Sequence, residues 1–221
     1  MNVLEALQER HCTRAYKPKA VDRETILKVL EAANNAPSWA NTQPWEFYVA
    51  AGEPLVRLRE RYLENLEKGI SPNPDIPVPQ SWPEEHKKRI FALGAERFAA
   101  MGIERENKEG RNEIYKNNFR FFDAPVVIFA CLDQGLSPWS LFDMGLVSQS
   151  LMLAAQHYGL NTIPAILFAG YPEIICQELQ IPDYLNIAIG IALGYGDPDN
   201  IQNKYLTTRR PIEEFVNLIG I

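Results

Sequence analysis

Cysteine is scarce in this sequence, and its scarcity is informative. The three cysteines, Cys12, Cys131 and Cys176, are odd in number and far apart, which leaves neither a disulfide framework nor a CxxC zinc or redox motif. Histidine is equally sparse at three, with no clustered carboxylates beside it, so no metal site is read. A basic excess is missing as well. Lysine and arginine number 22 against 28 acidic residues, a net charge of −6 that removes the footprint of a nucleic-acid binder. No apolar run reaches membrane-spanning length. The first residues, Met1-Asn-Val-Leu-Glu, lack the basic start and apolar middle of a signal peptide. Gly190, Gly194 and Gly196 are wrongly spaced for a dinucleotide motif, and no helix follows them. A reducing cytoplasm is the expected home.

What the chain does have is enough apolar material for a sizeable core. Its 221 residues are 46% hydrophobic, and no linker divides them, so a single domain is expected. Val3 to Gln8 reads as a short helix. Asp22 suits an N-cap, and Ile26, Val29, Leu30 and Ala33 recur behind it at helical spacing. Trp45 to Ala50 reads as a strand. Pro54 then opens a helix that places Leu55, Leu58, Tyr62 and Leu66 on one face. Residues 69–83 hold five prolines, which exclude both helix and sheet ladder. This extended excursion is expected to pack on its own chain or a partner, because Ile76, Val78 and Trp82 would otherwise face water. A charged helix from Pro83 to Met101 follows, with Ile90, Phe91, Leu93 and Phe98 as its apolar side and His86 to Arg89 as a solvated face. Residues 104–122 look helical, which would put Asn117 and Arg120 on one helix face. Val126 to Leu132 reads as a buried strand. Ser137-Pro138 opens a long helix that runs to about Tyr158 and stops at Gly159. A helix from Pro172 to Leu179 and a buried strand from Ile187 to Gly194 complete the pattern.

One stretch does not behave as a plain connector. Ala36-Pro37-Ser38-Trp39-Ala40-Asn41-Thr42-Gln43-Pro44-Trp45 combines two prolines, two tryptophans and several polar side chains between a helix and a strand. Loops of this composition position functional groups from a rigid scaffold, although a well-packed corner accounts for it equally well. The pattern Ala-Pro-Ser-x-x-Asn-x-Gln-Pro-Trp resembles the signature of the nitroreductase family of FMN-dependent oxidoreductases. Upstream, Arg10-His11-Cys12-Thr13-Arg14-Ala15-Tyr16 resembles that family's other N-terminal motif, at the family's distance. The resemblance extends over about residues 3–218. The insertion at about 69–110 is similar to that of the nitrobenzoate-reductase-like branch, where it helps shape the substrate mouth.

The resemblance implies an α+β fold, a nitroreductase-like central and mostly antiparallel sheet wrapped by helices, in an intertwined homodimer with two FMN at its interface. It implies that Arg10, His11, Cys12 and Arg14 grip the phosphate and ribityl chain, with Arg209 contributing to the phosphate. Cys12 replaces a common serine and is a poorer donor, which leaves that contact to the arginines. Pro37, Ser38, Trp39 and Asn41 belong to the cofactor loop. Asn117 meets the polar edge of the isoalloxazine, and Arg120 sits near N1 and the C2 carbonyl, where a cation favours reduction. Pro164, Ala165, Ile166 and Leu167 occupy the segment over the flavin, in which a backbone N–H points at N5. The apolar run Ala165 to Leu167 and the bulky Trp39 depart from the family's usual residues and imply a tighter, more apolar pocket. The long helix Trp139 to Tyr158 resembles the family's dimer-core helix, and the last residues resemble an arm laid on the partner. The chemistry implied is a ping-pong hydride transfer from NAD(P)H through flavin N5 to a small, aromatic acceptor. No side-chain nucleophile or general base is expected, in keeping with the lack of GxSxG and of a Cys–His or carboxylate pair. Two rivals stand beside this reading: a flavin-binding protein without NAD(P)H turnover, and a flavin-fragmenting or dehalogenating member of the same fold.

Overall fold

The computed structural model describes residues 2–220. Local chemistry accounts for most of its elements. Helix α1 (Val3–Glu9) starts with a capping box, in which Asn2 and Glu5 satisfy each other's backbone donors. Helix α2 (Arg23–Ala33) is capped as expected, with the Asp22 side chain accepting the Thr25 N–H at 2.8 Å. Strand β1 (Glu46–Ala51) leads into α3 (Gly52–Glu67), whose Leu55, Leu58 and Tyr62 are buried. Helices α4 (Glu84–Ala100) and α5 (Lys108–Lys116) precede strand β2 (Val126–Asp133). Then come α6 (Trp139–His157), β3 (Asn161–Ala165), α7 (Pro172–Leu179) and β4 (Leu185–Gly194). Gly159, at φ +72, ends α6 in the left-handed conformation that suits glycine.

The four strands form one sheet in the order β1-β2-β4-β3, and every pairing is antiparallel. Strand β2 lies inside the sheet and alternates between two cores. Val127, Phe129 and Cys131 face Tyr62 and Leu58 of α3 and Ile174 and Ile175 of α7. Val126, Ile128, Ala130 and Leu132 face Val29 and Ala33 of α2 and Val147, Leu151 and Ala155 of α6. The period-2 side-chain alternation of a strand thus divides the apolar residues between two helical layers. Gly190 and Gly194 are required by close approach rather than by any nucleotide. A Cβ on Gly190 would stand 2.5 Å from that of Phe168, and one on Gly194 would stand 2.6 Å from Pro125.

The insertion divides into a densely anchored part and a sparsely anchored part. Asn73 donates its N–H to the Gly170 carbonyl at 2.7 Å, Asp75 accepts the Ile187 N–H at 2.8 Å, and Tyr171 donates to the Ile70 carbonyl at 2.7 Å. These anchors stop at Asp75. Ile76 is half-buried, whereas Val78 and Trp82 remain exposed on this chain, so of the two expected arrangements these two residues do not show packing on their own chain. Helix α4 has no buried residue, and its Ile90, Phe91 and Leu93 face solvent.

A second difference concerns residues 104–122. The helix covers only Lys108–Lys116, with Asn117 as its C-cap. Phe121, Phe122 and Asp123 follow at φ 53, 52 and 54, a left-handed 3₁₀ turn that takes Arg120 off the helix. Arg59 of α3 holds this turn by donating to the carbonyls of Arg120, at 2.9 Å, and Ala124. Backbone carbonyls met by an arginine from another element stabilise a conformation that local propensity disfavours.

Candidate functional site

The Arg10–Tyr16 segment is held as an extended strip beside β3 and the end of β4. Cys12 bridges Thr162, the Thr13 N–H donates to the Thr162 carbonyl at 3.0 Å, and Tyr16 pairs with Gly196. Asn203 ties the strip from the other side. Its Oδ1 accepts the Arg14 N–H at 2.7 Å, and its Nδ2 donates to the carbonyls of Ala15 and Asp197, each at 2.8 Å. His11 Nδ1 donates to the Glu9 carbonyl at 2.8 Å, and Arg14 Nη1 donates to the Cys12 carbonyl at 3.3 Å.

Arg97, from α4, lies in the electrostatic field of this strip, with Arg14 and Cys12 as its titratable neighbours. Its guanidinium is largely enclosed, and Nε and Nη2 have no hydrogen-bond partner. Burial, followed by repulsion from the charge of Arg14, brings its pKa down to about 10. The hydroxyls of Thr13 and Tyr16 are also buried without partners. Burial pushes the Tyr16 phenol well above its ordinary range; Cys12 adds to the rise, and Arg14 opposes it. None of Arg10, Arg14 and Arg97 forms an ion pair among the described residues. The result is a concentration of positive charge and orphaned donors with no anion to meet them, a composition that suits a phosphate.

The Pro37–Asn41 loop stands at one end of α6. Trp39–Asn41 forms a 3₁₀ turn, with Ala40, Asn41 and Gln43 at φ 49, 57 and 46. Ser38 Oγ accepts the Gln43 N–H at 2.9 Å, and the buried Asp143 carboxylate of α6 accepts the Trp39 N–H at 3.2 and 3.3 Å. The Trp45 indole N–H donates to Asn34 at 3.0 Å and closes the loop. Pro37, Ser38 and Trp39 line an apolar cleft of about 640 Å³ with Trp139, Phe142 and Leu146 of α6. Trp39 and Trp139 are each 67% exposed on this chain, and Phe142 63%.

Asn117 and Arg120 are adjacent although they do not share a helix. Arg120 Nη1 donates to Asn117 at 3.3 Å and pairs with Glu113 at 2.7 Å. Part of the cation is therefore engaged within the chain. Asn117 Nδ2 donates to Gln202 at 3.3 Å, next to the Asn203 that fixes Arg14, which links the two regions. Pro164 and Ala165 pair with Ile191 and Gly190 at the sheet edge, in the same strand whose Thr162 carries the Arg10–Tyr16 strip. Beyond them Ile166–Ala169 turns as a 3₁₀ helix, with Ile166 exposed and Leu167 half-buried. Tyr62 anchors this turn by donating to the Phe168 carbonyl at 2.7 Å. Arg209 lies in the exposed tail and folds back on Thr207 and Thr208. Among the described residues, no hydrogen bond joins it to the Arg10–Arg14 segment.

Sequence reasoning did not single out Arg97, Asn203 or Gln202. Arg97 looked like one more charge on a charged helix, and only its position in space makes it unusual. Asn203 carried no local signal, because its three partners lie at the other end of the chain or behind a turn.

Comparison with known proteins agrees with this architecture. The model of the nitroreductase family matches residues 7–195. A 4-nitrobenzoate reductase of Pseudomonas putida is 31% identical over 211 residues, spanning 96% of this chain and 92% of the relative. The FMN and NADPH-dependent nitroreductase NfnB of sphigopyxis sp. strain HMH superposes with a TM-score of 0.95 at 29% identity, covering 100% of both chains. NfnB from Mycobacterium smegmatis, solved in complex with NADPH, superposes with a TM-score of 0.91 at 27% identity, covering 99% of this chain and 100% of its own. No described helix is long and apolar enough to cross a membrane. The α+β fold, the motif pair and these matches along nearly the whole length make this chain a member of the nitroreductase family.

Proposed function

We propose that the protein is an FMN-dependent NAD(P)H oxidoreductase acting on a small, flat acceptor such as a nitroaromatic or a quinone. The observation that carries this reading is the enclosed Arg97 guanidinium, which has no acceptor at Nε and Nη2 and lies on the scaffold shared with the FMN and NADPH-dependent NfnB proteins. The residues present suit the cofactor. Arg10, His11, Cys12, Arg14 and, from the tail, Arg209 would hold its phosphate and ribityl chain. Pro37, Ser38, Trp39, Asn41, Asn117, Arg120 and the run Pro164 to Leu167 would surround its ring. When bound, FMN would supply the hydride chemistry that links NAD(P)H oxidation to reduction of a second substrate in ping-pong fashion.

The chain's own residues bind, orient and exclude water. Asp143 and Ser38 fix the backbone of the Trp39 loop, so the cleft wall is set before any ligand arrives. Trp39, Trp139, Phe142 and Leu146 offer an apolar surface that favours planar acceptors over charged ones. Arg120 places positive charge beside Asn117, moderated by Glu113. The exposed aromatic face of α6 and the exposed tail residues Ile212, Phe215 and Leu218 suit a second copy, so the working form is a homodimer.

The test is an anaerobic stopped-flow experiment on protein reconstituted with FMN. Bleaching of the flavin on addition of NADPH or NADH, followed by recolouring with a nitroaromatic or a quinone, is the expected result. Flavin that stays bound and yellow with both nucleotides would mark a flavin carrier without turnover. Protein that takes up no FMN would overturn the reading altogether.

A further inference from the structure

Helix α4 sits on the molecule in an unusual way. It buries no residue, and its Ile90, Phe91 and Leu93 point outward. Its least exposed positions are Gly94, Arg97 and Phe98, so the part of the helix nearest the body of the chain includes a charge. Enclosing a guanidinium with two unmet donors is unfavourable, and the charge of Arg14 adds repulsion. No carboxylate relieves either penalty among the described residues. The neighbouring residue does attach to the body, since Glu96 accepts a 2.6 Å hydrogen bond from the Tyr205 hydroxyl. Tyr205 lies two residues beyond the Asn203 that grips Arg14. The helix is thus held at this spot, and the unmet donors are not the result of a loose end.

A bound dianion would reverse the balance for Arg97, since it supplies both the missing acceptor and the missing counter-charge, and the Asn203–Tyr205 segment ties Arg14 and Glu96 to the same region. We propose that Arg97 is a phosphate ligand supplied by the insertion helix, which clasps FMN together with Arg14 and makes phosphate recognition and α4 docking one event. This rests on the FMN reading above and assigns to α4 a role in selecting FMN over the phosphate-free riboflavin.

The test compares FMN and riboflavin binding by the full-length parent and by Arg97→Met, using the quenching of flavin fluorescence. Loss of one charge-assisted contact should weaken FMN binding by about 10- to 100-fold and leave riboflavin binding unchanged. The variant should also melt at the same temperature as the flavin-free parent or higher, because it removes an unmet buried charge. Equal losses for both flavins, no loss for either, or a flavin-free variant that melts lower or does not fold would overturn the proposal and make Arg97 a structural residue. A parent that binds neither flavin would instead overturn the FMN reading and the proposal with it. The two failures are therefore distinguishable.

Discussion

The carboxylate of Asp143, one turn into α6, accepts the backbone N–H of Trp39 with both oxygens, at 3.2 and 3.3 Å. Trp39 immediately precedes two residues in left-handed conformation, Ala40 and Asn41. The buried acceptor thus holds a loop that its local sequence does not favour. Asp143→Ala should leave the N–H unmet and destabilise the fold by about 1–3 kcal/mol. Asp143→Asn, which keeps an acceptor oxygen, should lose less. Urea midpoints of the two variants check this, and an alanine variant as stable as the parent would contradict it.

Tyr62 is fully buried and joins α3 to the turn after β3. Its hydroxyl donates to the Phe168 carbonyl at 2.7 Å and accepts the Tyr171 N–H at 3.4 Å. Tyr62→Phe keeps the ring contacts with Phe121 and Tyr171 but strands the carbonyl. A loss of about 1–3 kcal/mol in unfolding free energy is expected. Hydrogen exchange should also be faster at Phe168 to Tyr171 than in the parent, and unchanged exchange there would count against the anchoring role.

Two glycines should respond oppositely to alanine. At Gly190 the new methyl would meet the Cβ of Phe168 at 2.5 Å inside the core, so overpacking should remove about 1–3 kcal/mol or more. At Gly94, within α4, nothing stands within 4 Å, and helix propensity should add up to about 1 kcal/mol. Thermal melts of the pair check both signs.

Alkali should weaken the fold before any arginine titrates. Burial pushes Cys131 up to about 12 and raises Tyr16 and Tyr62 above their ordinary range. The unfolded chain releases these protons near the ordinary values of about 8.5 and 10, whereas the folded chain retains them. The unfolded state then binds fewer protons, so stability is full below those values and falls as pH rises, by at most about 1.4 kcal/mol per pH unit per group. Arg97 acts in the opposite direction, but only from about pH 10 upward, where the folded chain loses a proton that the unfolded chain keeps. Urea midpoints between pH 8 and pH 10 isolate the first effect and should decline across that interval.

Much of the scaffold is readable in order along the chain because its signals are local. Asp22 caps α2, Gly159 ends α6, and the apolar run of β2 supplies both cores. The five prolines of residues 69–83 exclude regular structure, and none forms there. The reading of residues 104–122 as one helix failed for a nonlocal reason. The left-handed turn at Phe121 to Asp123 is stabilised by Arg59, more than sixty residues earlier, and no nearby residue announces it.

The family and the α+β pattern are legible along the chain, because motif spacing and hydrophobic periodicity are properties of neighbours in sequence. Which charges meet is a matter of packing between distant segments. The tertiary structure turned Arg120 toward Glu113 and Arg209 onto its own turn, and it enclosed the Arg97 guanidinium, on a helix whose other side faces water, within the field of Arg14. A side chain's charge is written in its residue type, but its electrostatic role depends on what lies around it and on how much water is excluded, and those are set by packing between distant segments.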